Sequence, residues 1–78
     1  MIDELSTVVL TTDLPQHELR AGDLGTVVMV HQGGKGYSVE FMTLSGETIA
    51  VATLSADQVR PTRANDIAHV RELATTIP

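Results

Sequence analysis

Gly25-Thr26-Val27-Val28-Met29-Val30-His31, then Gln32-Gly33-Gly34-Lys35-Gly36, then Tyr37-Ser38-Val39-Glu40-Phe41-Met42: the reading of this stretch decides the fold. Its middle five residues hold three glycines, the composition of a reversal that needs positive φ. The segment that follows has a period of two. Tyr37, Val39 and Phe41 fall on one side, and Ser38, Glu40 and Met42 on the other, as in a half-buried strand. The segment before it is rich in valine, which favours an extended backbone. The stretch therefore predicts two antiparallel strands and a tight connection.

Further strands lie on either side. Thr7-Val8-Val9-Leu10 reads as the first. Thr11 to Asp23 is polar and holds Pro15 and Gly22, so it reads as a long excursion loop with one helical turn at Gln16-His17-Glu18-Leu19. Leu14 and Leu19 are its expected anchors, since a loop of this length needs packing of its own to stay ordered. Leu44-Ser45-Gly46 is the next turn, and Glu47 to Leu54 the fourth strand. Both faces of that strand carry apolar residues, so it holds a bulge or is buried on both sides. Ser55-Ala56-Asp57-Gln58 fits a 3₁₀ turn, and Val59-Arg60 is a last short strand closed by Pro61.

This order predicts a mainly β fold, a small five-stranded SH3-like barrel over residues 1–61, closed so that no strand edge is exposed. An OB-type barrel is the runner-up, but it needs a helix where only Leu44-Ser45-Gly46 stands. The expected interior is Val8, Leu10, Leu24, Val28, Val30, Val39, Phe41, Val51 and Val59. Residues 62–78 read as a separate tail with a short C-terminal helix from Arg63 to Ala74, capped by Asn65 or Asp66. Ile67, Val70, Leu73 and Ala74 would share one side of it. A helix of about 10 residues is marginal alone, so it packs on the barrel, packs on a partner, or frays.

Seventy-eight residues make one small domain. Hydrophobic residues, at 42%, suffice for a core, and charged residues, at 19%, are too few for a disordered polyelectrolyte. The absence of cysteine excludes a disulfide scaffold, a thiolate metal site and a cysteine nucleophile. A domain of this size walls no deep pocket by itself, which favours a binding module over an enzyme. The acidic Met1-Ile2-Asp3-Glu4-Leu5 is no signal peptide, and Val27 to Val30 is the longest apolar run, far short of a membrane span. A cytoplasmic protein without membrane attachment is expected.

A wider pattern links these segments. Asp13-Leu14-Pro15, then Leu19-Arg20-Ala21-Gly22-Asp23-Leu24-Gly25-Thr26-Val27-Val28, Tyr37 to Phe41, Gly46-Glu47-Thr48 and Leu54 to Pro61 together resemble a family of small bacterial SH3-like proteins of about 80 residues and unknown function. The layout is more distantly similar to the SH3-like barrel of the nitrile hydratase β subunit and its accessory relatives. Gly22 to Val27 is distantly similar to the KOW motif. The resemblance implies a fold and a partner, the product of a neighbouring gene, in an arrangement similar to toxin and antitoxin pairs.

The candidate chemistries are few. His17, His31 and His69 sit in three segments with no ligand spacing, so no metal and no cofactor is expected. No serine lies in a nucleophile-elbow context, and the Gly33 to Gly36 loop precedes a strand where a phosphate loop precedes a helix. No catalytic residue is assigned. Residues 1–60 carry Arg20, Lys35 and Arg60 against eight acids, so they hold the whole net charge of −5. That balance, with Tyr37 and Phe41 as the sole aromatics, argues against nucleic acid and against proline-rich ligands.

The leading expectation is a non-enzymatic acidic protein-binding module that meets a basic surface through Asp13, Glu18 and Asp23. The alternative is an accessory subunit or maturation factor of a nitrile-hydratase-like metalloenzyme. Self-association through Ile67, Val70 and Leu73 of the tail is a third expectation.

Overall fold

The computed structural model describes residues 1–74. Its strands are β1 (Thr7–Leu10), β2 (Leu24–His31), β3 (Gly36–Met42), β4 (Thr48–Ser55) and β5 (Val59–Pro61), with 3₁₀ turns at Pro15–His17 and Ala56–Gln58. All pairings are antiparallel, in the order β4-β3-β2-β1-β5. The strands lie where the sequence reading puts them, to within about a residue.

The closed barrel is overturned. The sheet stays open, with β4 and β5 as its two edges. β5 has three residues, each paired with β1: Val59 with Leu10, Arg60 with Val9 and Pro61 with Val8. Its other edge offers three backbone units, one a proline without an N–H, and that is too little to draw β4 into a closing ladder.

The C-terminal helix is overturned as well. Among the described residues the helical elements are the two 3₁₀ turns. Residues 62–74 make one turn and then run without regular structure, and residues 75–78 of the expected tail lie outside the described residues. The Asp66 carboxylate, an expected helix cap, closes that turn by accepting the Arg63 amide (2.7 Å) and the Arg60 guanidinium (3.0 Å to each oxygen).

The core fills one face of the sheet. Val8, Leu10, Val27, Tyr37, Val39, Phe41, Ala52, Leu54 and Val59 are buried there. Leu14 and Leu19 reach in from the excursion loop, joined by backbone bonds of 2.9 and 3.1 Å. Large residues of β3 face small ones of β4, Phe41 against Ala50 and Val39 against Ala52, so neighbouring strands share the volume. Gly25 belongs to this packing. A Cβ there would stand 2.5 Å from Val39 Cγ1 and 2.9 Å from Phe41 Cε1. At the N-terminus, the Ile2 amide donates to the Tyr37 hydroxyl at 3.1 Å, and Ile2 packs on the core.

The expected interior is right for Val8, Leu10, Val39, Phe41 and Val59, and Val30 packs on it half-buried. Leu24, Val28 and Val51 are instead 51%, 39% and 56% exposed. The cause is parity. Val27 faces Val39 and Val30 faces Tyr37, so two residues of β2 fit where β3 has one. In β4 the register shifts again, with Phe41 facing Ala50 and Met42 facing Thr48. Ahead of the β2 bulge the inward residues are Gly25 and Val27, so Leu24 and Val28 point out, and past it Val30 turns in; past the β4 bulge Ala52 and Leu54 are inward and Val51 points out. The apolar content on both sides of β4 thus reflects a bulge.

Candidate functional site: an acidic loop that holds a guanidinium

The excursion loop between β1 and β2 is built to be rigid. Pro15 opens its 3₁₀ turn, and Glu18 ends it in the left-handed region at φ 59°. Gly22, at φ 98°, adopts a backbone that a side chain would strain. Its amide donates to the Leu10 carbonyl at 2.7 Å, while the Leu10 amide donates to the Asp23 carbonyl at 2.9 Å. The far side of the loop is tied to the 3₁₀ turn before β5, where the Thr11 amide donates to the Gln58 carbonyl at 2.8 Å.

Two loop carboxylates serve this scaffold. Asp13 Oδ1 accepts the Ala21 amide at 2.9 Å, and Asp23 Oδ2 accepts the Arg20 amide at 2.8 Å. Side chains that bond nearby amides hold a loop that lacks a ladder of its own.

Asp23 has a second partner that the sequence reading missed. The Arg71 guanidinium donates through Nε to Asp23 Oδ1 at 2.8 Å and through Nη2 to Asp23 Oδ2 at 2.6 Å. Nη2 also donates to the Glu18 carbonyl at 3.0 Å. This is the two-pronged geometry in which arginine grips a carboxylate most firmly. Partial burial acts to raise the Asp23 carboxyl, but Arg71 and the Arg20 amide outweigh it and hold it below its ordinary value.

Asp13, Glu18 and Asp23, the expected partner contacts, therefore belong to one loop with different neighbours. Asp23 is engaged by Arg71, Asp13 is exposed and bonded to the loop's own backbone, and Glu18 presents its exposed side chain outward. A shallow hollow of about 270 Å³ lies beside them, lined by Asp13, Pro15, Glu18, Leu19, Arg71 and Leu73. Of the expected tail contacts, Ile67 and Val70 are exposed, and Leu73 is half-buried at this hollow. They do not form one helical side.

The tail reaches the loop because its path is fixed at both ends. The Arg60–Asp66 pair, at 3.0 Å, reverses the chain after β5, and the Arg71 fork catches it 48 residues from Asp23 in sequence. Asp66 is held at a pKa of about 2 by the Arg60 guanidinium, with the Arg63 amide adding to the effect. The histidines stay apart: His31 shares a 2.7 Å hydrogen bond with Ser38 Oγ, His17 lies on the loop and His69 is exposed. Among the described residues there is no cluster of ligating side chains for a metal, and no helix long and apolar enough to cross a membrane.

No curated protein and no solved structure matches the chain. One family matches residues 4–61, which takes in all five strands and the whole acidic loop and stops where the tail begins. On that match the chain belongs to the family described as Domain of unknown function (DUF4926).

Proposed function

We propose that the chain is a protein-binding module without catalytic activity of its own, and that its acidic loop takes a basic side chain from a protein partner. The observation that carries this reading is the grip on Arg71. Two carboxylate oxygens of Asp23 and the Glu18 carbonyl surround one guanidinium at 2.6 to 3.0 Å. A loop that binds an arginine of its own tail has the chemistry to bind an arginine of another protein. Asp13 and Glu18 add exposed negative charge beside it, and eight acids against three bases in residues 1–60 steer basic surfaces toward the molecule.

The partner is the product of a neighbouring bacterial gene, which the module covers in the manner of an accessory or antitoxin-like protein. Copurification of the two proteins at low and high salt tests this. Binding that weakens with salt and is lost in Glu18→Lys, whose side chain is exposed, supports it. A neighbour that stays unbound at low salt, or binds regardless of salt and of Glu18→Lys, sinks it. Capture of a metal-bearing neighbour by the same loop would make the module an accessory subunit or maturation factor of a nitrile-hydratase-like enzyme, a form that rests on the resemblance alone.

A further inference from the structure

The two edges of the sheet differ in kind. β5 is three residues long, carries Arg60 and ends on Pro61, features that discourage another strand from pairing. β4 is eight residues long, Thr48-Ile49-Ala50-Val51-Ala52-Thr53-Leu54-Ser55, with no charged residue, no proline and no glycine. Among the described residues β3 is its one strand neighbour, so the other side of its backbone presents N–H and C=O groups without a ladder. Val51 stands 56% exposed at its middle. A long, uncharged, β-branched edge of this kind is a template for another strand.

We propose that β4 pairs with β4 of a second copy, antiparallel across a two-fold axis, and that the five-stranded sheet becomes a ten-stranded one. Parity selects the register. For the two core faces to lie on the same side, a residue must pair with its own equivalent, and Val51 opposite Val51 buries the exposed valine of both copies. The bulge at Ile49 lies between Val51 and Glu47 and takes one residue out of the count, so this register sets Glu47 of one copy opposite Leu54 of the other. Leu54 pairs with Tyr37 on its own β3, and Lys35 is two residues from Tyr37. Lys35 and the second copy's Glu47 are then about 12 Å apart in backbone, a separation their two long side chains span. Both are exposed, and neither makes an ion pair among the described residues. The two-fold therefore places a lysine beside a glutamate at each end of the joined edge, although each copy carries a net charge of −5. This occupant follows from the edge itself and is independent of the acidic loop.

Sedimentation velocity on the full chain, from micromolar to millimolar concentration, tests the pairing. A monomer–dimer equilibrium is expected. Val51→Glu should weaken it about tenfold or more, because like charges would face each other across the axis. The site is exposed, so a circular dichroism spectrum matching the wild type would show the fold intact. Lys35→Glu and Glu47→Lys should each weaken the dimer several-fold, and the two together should restore it. A chain that stays monomeric at millimolar concentration overturns the proposal. So does a dimer indifferent to Val51→Glu, or one lost only when residues 62–78 are removed, which would place the contact on the tail.

Discussion

Residues 37–42 and residues 63–74 both carry a periodic apolar pattern, at strand and at helix spacing respectively. One becomes an interior strand of the sheet, between β2 and β4, and the other becomes no regular element. Tyr37, Val39 and Phe41 lie between β2 and β4, where Leu54, Ala52 and Ala50 of β4 stand opposite them and complement their volumes. Ile67 and Val70 meet nothing of the kind and stand 92% and 73% exposed. What fixes the tail is polar: the Arg60–Asp66 and Arg71–Asp23 forks. A pattern becomes an element when a complementary surface exists to bury it; without one, a few good hydrogen bonds set the path of the chain.

Four measurements can break or sharpen this contrast. The largest effect is expected at Phe41, 2% exposed and among the largest fully enclosed side chains. Phe41→Ala should cost about 3–5 kcal/mol in urea denaturation, enough to unfold a marginal domain. Gly25→Ala comes next, at about 1–3 kcal/mol, because the added Cβ would meet Val39, Phe41 and the Glu40 carbonyl at 2.5, 2.9 and 3.1 Å. On the tail, Arg71→Ala should change global stability by about 1 kcal/mol or less, since the pair is partly open to solvent. The same change should speed proteolysis and amide exchange of residues 62–74 while leaving β3 protected. If Arg71→Ala costs as much as Phe41→Ala, the tail is part of the core and the contrast fails. Ile67→Ser should shift stability by about 0.5 kcal/mol or less.

Acid offers a further way to separate the regions. The carboxyls of Asp23 and Asp66 are depressed in the folded chain, so the stability they contribute is present above their ordinary value of 3.8 and lost as pH falls through the lowered one. For Asp66 that window runs from 3.8 to about 2. The turn after β5 should therefore open across this range, and the tail should leave the loop as pH falls below 3.8 through the lowered Asp23 value, while the sheet, whose core has no buried charge, keeps its strand signals. The Arg71 Nε–H resonance, followed by NMR against pH, reports it. A tail signal unchanged down to pH 2 would show that something other than the two forks holds the tail.

Much of this was legible in the residues. The unbroken alternation of β3 identifies its inward set correctly, and glycines mark each of the three connections from β1 to β4. Facing was lost wherever a bulge intervened. Val28 and Val51 look more apolar than Ala52, yet Val28 is the extra residue of the β2 bulge and Val51 follows the one in β4, and both point out. Single-residue insertions leave no mark in composition, and their effect appears only against the partner strand. The site followed the same division. The bond from Asp23 to a nearby amide is local and readable; the arrival of Arg71 depends on a tail that the helical pattern assigns to another conformation.

Tyr37 links the contrast to spectroscopy. It is the one tyrosine in a chain without tryptophan, it is 2% exposed, and its hydroxyl accepts the Ile2 amide across 35 residues. Its ultraviolet emission and near-ultraviolet dichroism thus come from a single place, the junction of the N-terminal segment with the core. Unfolding followed at this ring reports the sheet and the N-terminal segment packed on it, not the tail, with no label needed. Displacement of the N-terminal segment would alter the emission before the strands separate, so the ring also serves as an early gauge of loosening at that end of the molecule.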